Sequence, residues 1–428
     1  MFVTDIKVFF SFLKPYNIYK WFNVEYLFVN YFWLTTIGAV ISLFFKNEWI
    51  INYIFPLIIY FLFWRSRSKI TINNIVDILW ITSFIWILFT WCVNDYPHKT
   101  VLVFKAVFME LAYMMSYWIS RTSTINYVQL IIRNATKPLV ISCIIGIYCF
   151  FYEPAWYQAM TDNAILYVNG TFDKESMLEL YRLRSVYISP YYLAYFCAIT
   201  LIYEFFLLFI FGKKTPRYNY HMLFMILLLV TDVLCMMRAP LACMIAGFFA
   251  AYLYSFVYVK GGRGTLKMVM ILFVVVVVLI VGMSLVDLSI VDFMYNKINI
   301  LTDDDGSFIT KRFYLQEQSA TLIGEGYGRY SRLAYYMYDM PSIADGEYMK
   351  VLSEQGVIGL SILLVMLFIG WVKSFIESKS LYLEFCLLSM LFVCMIGANP
   401  LSTYDKHCFL FWMALGQISR YKKNNVII

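Results

Sequence analysis

Charged side chains are scarce in this sequence. Asp, Glu, Lys and Arg make up 14% of its 428 residues, and 62% of the residues are hydrophobic. A soluble domain would carry roughly 25% charged residues, so this composition excludes a soluble globular enzyme. Repeated apolar runs of roughly 20 residues predict membrane spans instead. Because only helices and closed barrels satisfy the backbone in lipid, we predict an all-α polytopic membrane protein.

Signals for metals, disulfides and nucleic acid are missing as well. The run Asp303–Asp305 is not followed by EF-hand spacing, and the three histidines are scattered and fit no metal motif (His98, His221 and His407). We therefore predict no metal and no cofactor. All nine cysteines lie in or beside apolar runs, which does not indicate a disulfide framework. The net charge of +7 is spread over short clusters between spans, which does not indicate nucleic-acid binding.

The apolar runs predict about twelve transmembrane helices in one membrane domain, residues 1–428, without an internal repeat or an interdomain linker. The N-terminal segment mixes Lys7, Lys14 and Lys20 with aromatic residues and lacks a cleavable signal pattern, so we predict a cytoplasmic, amphipathic interfacial segment. The predicted spans are Tyr26–Phe45, Trp49–Trp64, Ile75–Cys92, Val101–Ile119, Pro138–Phe151, Pro190–Phe211, Met222–Met237, Ala239–Val259, Leu266–Val286, Val357–Trp371, Leu381–Ile396 and Lys406–Ile418.

Basic residues predict the orientation of these spans. Lys and Arg occur in every second connection, and the alternate connections near residues 46–48, 94–99 and 399–405 are poor in them. Because cytoplasmic connections are enriched in Lys and Arg, both termini should be cytoplasmic. The two long loops, at about residues 152–189 and 287–354, should then be external, or periplasmic. The basic connections contain Arg65, Arg67 and Lys69; Arg121, Arg133 and Lys137; Lys213, Lys214 and Arg217; Lys260, Arg263 and Lys267; Lys373 and Lys379; and Arg420, Lys422 and Lys423.

The second external loop ends in a distinctive stretch, Gly324–Gly359. It opens with alternating glycines, continues through a tyrosine-dense span, and reaches Ala344-Asp-Gly-Glu-Tyr348, where a helix is predicted to start. Loops this long between spans are usually functional, because short turns suffice for connection. The loop tyrosines could stack against sugar rings, although an interfacial aromatic belt predicts the same residues.

Arginines form the first group of candidate site residues. Arg182 and Arg184 precede a span, Arg238 lies at the external end of another, and Arg312 lies in the second loop. A guanidinium binds phosphate oxygens through paired, charge-assisted hydrogen bonds, so arginines converging at the external surface would suit a lipid-linked diphosphate. Alternatively they snorkel or pair with carboxylates, for example Arg238 with Asp232.

Carboxylates form the second group. Asp345 and Glu347 are candidate bases at the predicted helix start, and as a structural alternative Asp345 fits an N-cap and Glu347 favours the helix dipole. Charges inside spans are costly in lipid and should line the bundle interior. These charges are Lys105, Glu110, Glu204 and Asp232.

Three separated segments resemble the O-antigen polymerase and O-antigen ligase superfamily of bacterial envelope glycan assembly. The pattern from Arg182 to Pro190 is similar to the family's Arg-x-x-Gly-x-Phe-x-x-Pro, with Ser185 where glycine is usual. Met237-Arg-Ala resembles its Ser-Arg-small element. Three consecutive pieces of this sequence resemble the end of the family's large periplasmic loop. They are Gly324-x-Gly-x-Gly328, then Asp345-Gly-Glu-Tyr348, then Leu352-Ser-Glu-x-Gly356-x-x-Gly359.

This resemblance implies a metal-independent glycosyltransferase of the bacterial inner (plasma) membrane, with its active site on the external side. The donor and acceptor would be undecaprenyl-diphosphate-linked glycan, in contact with membrane lipid, with a flippase and a chain-length regulator as candidate partners. Asp345, Glu347 and Arg312 would be catalytic. Arg182, Arg184, Arg238 and Tyr348 would bind substrate, with Arg182, Arg238 and Arg312 holding the diphosphate.

The branch of the family and a competing class stay open. Asp345 stands where ligases carry a histidine, which favours a polymerase of oligosaccharide repeat units for O-antigen or a related surface polysaccharide. A ligase that transfers finished glycan to a lipid or protein is the alternative within the family. A lipid-linked oligosaccharide flippase or another transporter would also have about twelve helices, although such folds usually show repeat symmetry.

Overall fold

The computed structural model describes residues 24–45, 54–152, 154–157, 183, 185–187, 190–209, 218–235, 237–258, 321–331, 334, 338, 340, 343, 346–377, 381–401 and 407–420. Across these residues the regular elements are helical, which agrees with the predicted all-α class. The α-helices are α1 (Val24–Val29), α2 (Tyr31–Phe45), α3 (Phe55–Ser66), α4 (Ile75–Val93), α5 (Lys99–Ala106), α6 (Ala112–Thr122), α7 (Tyr127–Tyr152), α8 (Pro190–Phe209), α9 (Tyr218–Cys235), α10 (Arg238–Tyr258), α11 (Glu347–Glu377), α12 (Tyr382–Gly397) and α13 (Cys408–Arg420).

Six of the described helices are long and apolar enough to cross a membrane: α4, α7, α8, α9, α10 and α11. Two shorter apolar helices lie within α2 and at α12. These helices make the chain an all-α membrane protein, while the total of about twelve spans stays a prediction. The predicted span Leu266–Val286 and the predicted N-terminal interfacial segment lie outside the described residues.

Helix α7 starts earlier than the sequence indicated. The predicted span was Pro138–Phe151, but the helix begins at Tyr127 and contains Pro138 in its interior. The side chain of Asn126 accepts a hydrogen bond from the Gln129 N–H at 3.1 Å and thereby caps the true start. Arg133 and Lys137 therefore lie inside a helix and not in a connection.

The bundle interior combines tightly packed aromatic rings with buried charge. Tyr31 lies between Phe55 and Phe409, with ring centroids 4.3 and 4.4 Å away. The charged residues Glu110, Glu204 and Asp232 are buried, as predicted, and Lys105 is half-buried. The Glu204 carboxylate lies 2.6 Å from Nδ1 of His221, which gives this buried charge a partner.

Hydrogen bonds place the connections between helices in two groups, one at each end of the bundle. Connections predicted to be cytoplasmic contact one another, and connections predicted to be external contact one another. The first end is joined by Asn74 with Ser419, Asp77 with Arg121, Asn126 with Glu384, and Arg420 with Ser123. The second end is joined by Tyr96 with Tyr327, Glu347 with Leu401, and Asn399 with Ile343. The grouping is the one that the basic residues predict, and which end faces the cytoplasm stays a prediction.

Impermeant thiol labelling tests this orientation. Asp95 and Ser68 are exposed positions that flank α4 on opposite ends, and Cys92 is exposed whereas the other eight cysteines are buried. In a Cys92→Ser background we expect Asp95→Cys to react with an impermeant maleimide in intact cells, after permeabilisation of any outer membrane. Ser68→Cys should react only after the inner membrane is broken. The reverse pattern would invert the topology.

Candidate functional site

The site is organised around a break in α11 at Gly356. This residue has φ 71° and ψ −173°, a backbone conformation that is essentially restricted to glycine. A Cβ atom there would lie 2.4 Å from the Leu322 carbonyl oxygen, so there is no space for a side chain. The neighbouring Gly324 also has a positive φ, 85°, and a Cβ atom on it would lie 2.5 Å from the backbone of Glu354. The glycine-rich segment therefore packs directly against the backbone of α11 at the break.

The segment 321–326 satisfies the backbone groups that the break leaves open. Glu325 N–H and Gly326 N–H donate to the carbonyls of Ser353 and Glu354, at 2.8 and 3.0 Å. On the other side of the break, the N–H groups of Val357 and Ile358 donate to the carbonyls of Thr321 and Leu322, at 3.1 and 3.3 Å. The carbonyl of Gln355 accepts from the indole of Trp86 on α4, at 2.8 Å. Non-helical backbone at membrane depth requires such partners, because lipid offers none.

One face of α11 before the break carries buried charges. Glu347, Lys350 and Glu354 follow one another at intervals of three and four residues, so they lie on the same side of the helix. All three are buried, with exposed fractions of 0, 1 and 0%. Tyr330 N–H, on the loop, donates to Oε1 of Glu354 at 2.9 Å.

The fourth buried charge, Glu110, lies on a π-helical segment, Val107–Leu111, between α5 and α6. Such bulges widen a helix by one residue and often occur at functional sites. The Lys350 ammonium lies 3.4 Å from Oε2 of Glu110, and the Tyr327 hydroxyl donates to the same oxygen at 2.8 Å. Burial and the adjacent Glu110 raise the pKa of Tyr327 well above its usual value, so the phenol stays a donor.

A small cavity adjoins these groups. Its volume is about 30 Å³, and its lining includes Glu110, Tyr327, Glu347, Gln355 and Trp412. The Trp412 indole N–H is buried and has no hydrogen-bond partner among the described residues. Most of the cavity lining is apolar, and a cavity of this size has room for about one water molecule beside the polar groups of Glu110, Tyr327, Glu347 and Gln355. The carboxyl groups of Glu110 and Glu347 therefore line the same cavity.

The structure describes only part of the predicted site. Asp345, Arg312, Arg182 and Arg184 lie outside the described residues, and so does the side chain of Arg238, whose backbone begins α10. These residues therefore stay predictions.

Glu347 and Tyr348 are described. Oε2 of Glu347 accepts from Leu401 N–H at 2.9 Å, and the Tyr348 hydroxyl donates to the Phe392 carbonyl at 2.8 Å. Gly346, whose carbonyl accepts from Lys350 N–H at 3.0 Å, occupies the N-cap position that the sequence suggested for Asp345.

The first motif that the sequence singled out is also anchored. Leu183 N–H, next to Arg182 in the chain, donates to the Leu234 carbonyl at 3.1 Å. Tyr187 lies with its hydroxyl 2.9 Å from that of Thr36 and is fully buried. Ser185 has φ 57°, in the left-handed region that favours glycine. The position at which the resembled family has glycine therefore has a glycine-like backbone here.

Sequence reasoning missed the roles of Lys350 and Glu354, although the spacing from Glu347 would have placed all three on one helix face. It noted Glu110 as a buried charge without assigning it a role, since a π-helical segment has no recognisable sequence pattern. Three carboxyl groups around one ammonium would repel a diphosphate, so an anion site would have to lie elsewhere, where arginines supply positive charge. The cluster can instead fix the loop and exchange protons.

Comparison of the sequence with models of known protein families finds no match, and comparison with curated proteins finds none either. The class of protein thus follows from the chain itself. The six long apolar helices among the described residues, with buried charges facing one another, define an α-helical membrane-embedded protein.

Proposed function

We propose that the protein is a metal-independent glycosyltransferase that polymerises undecaprenyl-diphosphate-linked oligosaccharide repeat units into O-antigen or a related surface polysaccharide. The reaction would take place at the outer face of the bacterial plasma membrane. A ligase that transfers finished glycan to a lipid or protein is the alternative within the same superfamily.

One observation carries the proposal: two motifs that resemble the family separately are joined in space. The Gly324–Gly328 motif passes through the helix break inside the Leu352–Gly359 motif, with four backbone hydrogen bonds between residues 321–326 and 353–358. Only glycine fits at the crossing. The left-handed backbone of Ser185 gives independent support from a third motif. If the resemblance were a chance match of residue types, nothing would require the glycines of the two motifs, Gly324 and Gly356, to pack against each other.

The proposed chemistry is a direct displacement. The acceptor sugar hydroxyl attacks the anomeric carbon of the donor, a new glycosidic bond forms, and the bond from that carbon to the diphosphate breaks. Asp345, or in its place Glu347, accepts the hydroxyl proton, and the lipid diphosphate leaves with the electron pair. Arg182, Arg238 and Arg312, with Arg184 in reserve, stabilise the charge on the leaving group.

A deletion strain complemented with variants tests the reaction. A missing polymerase leaves acceptors that carry a single repeat, whereas a missing ligase leaves long polymer on its lipid carrier. We expect single repeats in the deletion strain. Asp345→Asn should lower activity by about 10²–10⁴-fold at unchanged protein abundance. Stranded polymer would contradict polymerisation, and normal chains from both Asp345→Asn and Glu347→Gln would remove the proposed base.

The same gel tests the arginines. Lysine keeps the charge but loses the paired donors, so Arg182→Lys, Arg238→Lys and Arg312→Lys should each shorten or abolish the glycan ladder. Wild-type ladders from all three variants at equal abundance would contradict the diphosphate site.

Transport is the second candidate, and a specific observation favours it. A helix broken at Gly356 beside the buried charges Glu110 and Lys350 is typical of secondary transporters, in which interrupted helices line the substrate site. Loss of a flippase would leave lipid-linked repeats on the cytoplasmic face, and no single-repeat product would reach the outer acceptor. The deletion strain therefore separates the two classes.

A further inference from the structure

The segment Gly324–Ser331, which we call the glycine loop, is held against α11 by one buried side chain as well as by backbone bonds. The carboxylate of Glu354 is fully buried and accepts from Tyr330 N–H at 2.9 Å, and the N–H of Gly328 interacts favourably with the same carboxylate. Hydrogen bonds to a charged acceptor are about twice as strong as neutral ones. Glu354 therefore fixes the part of the loop that the backbone bonds of residues 325 and 326 do not reach.

Away from Glu354, the glycine loop carries three side chains that contact one another: Glu325, Arg329 and Tyr330. Oε2 of Glu325 accepts from the Arg329 guanidinium at 2.8 Å and from the Tyr330 hydroxyl at 2.6 Å. The side chains of Arg329 and Glu325 are partly exposed, at 36 and 24%, and the guanidinium lies 5.5 Å from the centroid of the Tyr330 ring. A carboxylate, a guanidinium and an aromatic ring held together suit the hydroxyl groups and the apolar face of a sugar.

We propose that Glu354 is a positioning residue for the proposed glycosyl transfer. It acts through the glycine loop and orients Glu325, Arg329 and Tyr330 towards the saccharide acceptor. This inference rests on the proposed function and goes beyond it, because it assigns acceptor binding to a surface that none of the predicted site residues includes.

The acceptor oxygens of Glu354 are the property that matters, because the Tyr330 N–H of the glycine loop donates to them. Lys350 lies one helical turn before Glu354, and both side chains are buried. A glutamine at this position would keep one acceptor oxygen but would lose the other. Its amide group would also present a donor where the loop supplies donors.

Thiol accessibility tests the anchoring step without reference to activity. Ser331 is buried, with an exposed fraction of 5%, so Ser331→Cys in the Cys92→Ser background should react slowly with an impermeant maleimide. Glu354→Gln should accelerate this labelling by about tenfold or more, because one of the two oxygens that can accept from the loop N–H groups is replaced by a donor. The matched control is Glu384→Gln, which alters another fully buried glutamate at the opposite end of the bundle and should leave the rate unchanged.

Kinetics test the functional step. With purified protein in liposomes and a lipid-linked repeat as substrate, Glu354→Gln should raise the KM for the acceptor by about tenfold and lower kcat much less, because acceptor binding and not chemistry is disturbed. Glu354→Asp, which keeps the carboxyl group, should restore much of the affinity and serves as the second variant if Glu354→Gln does not fold. Arg329→Ala should reproduce the KM effect without faster labelling of the thiol introduced by Ser331→Cys.

Each outcome decides a separate claim. Unchanged labelling in Glu354→Gln would overturn the anchoring step, and faster labelling with unchanged KM would overturn the role in acceptor binding. If the deletion strain shows no polymerisation defect, the proposed function fails, and the labelling rate alone still decides whether Glu354 fixes the glycine loop.

Discussion

Gly356→Ala is expected to destabilise the protein by about 3 kcal/mol or more, because the substitution combines a glycine-only backbone conformation with a steric clash. The added methyl group would lie 2.4 Å from the Leu322 carbonyl oxygen and 2.5 Å from Gly324 N. Both neighbours are backbone atoms, so neither can move aside as a flexible side chain would. We expect a lower thermal midpoint in detergent, reduced abundance in cells and loss of the glycan ladder.

Gly397→Ala is the matched control. Gly397 ends α12, and among the described residues a Cβ atom there would meet only the Ala239 side chain, at 3.8 Å, which is ordinary van der Waals contact. This variant should stay close to the wild-type midpoint. An equal loss of stability in the two variants would contradict the idea that the loop crossing is what requires glycine.

Lys350→Met should produce the second large effect. The substitution removes the ammonium from a cluster in which Glu110, Glu347 and Glu354 are all buried, and breaking a buried charge pair typically costs about 3–5 kcal/mol. Because carboxylates without a counter-charge become protonated, the variant should also be more stable at low pH than at neutral pH. Thermal unfolding of the purified protein at several pH values measures both effects.

The double variant Glu110→Gln/Lys350→Met tests whether the pair is the cause. Removing the carboxylate that lies 3.4 Å from the ammonium should recover part of the stability lost in Lys350→Met, since one uncompensated charge disappears. As a control, Lys99→Met changes a lysine that is only half-buried, with its ammonium near the Asn94 carbonyl, and should have little effect. If the losses of stability from the two single substitutions simply add in the double variant, Glu110 and Lys350 are not directly coupled.

The sequence predicted the helices well because apolar runs and lipid impose them directly. It predicted the spans Ile75–Cys92 and Pro190–Phe211, and the structure has the helices Ile75–Val93 and Pro190–Phe209. It also predicted that a helix starts in the stretch Ala344–Tyr348, and α11 begins at Glu347. It failed at Pro138, which lies inside α7, a helix that also makes tertiary contacts such as the bond from the Asn134 side chain to the Val29 carbonyl. Local propensity cannot include such contacts.

The candidate site was predictable only in part. The structure brings the glycine-rich motif against α11, the helix that begins at Glu347, and helical spacing could have added Lys350 and Glu354. The contribution of Glu110 could not have been predicted, because it comes from a segment more than 200 residues away and depends on a π-helical turn.

The packing of residues 321–326 against the break in α11 also constrains how the protein folds during synthesis and membrane insertion. Residues 321–326 are synthesised before residues 353–358, yet the N–H and carbonyl groups around Gly356 find their partners only when the two segments meet. Until then, the half of α11 before the break would enter lipid with open backbone groups, each of which costs several kcal/mol. Residues 321–326 must therefore lie beside α11 when its two halves come together at Gly356. Completion of α11 is thus coupled to the position of a segment that is synthesised earlier and is not part of the helix.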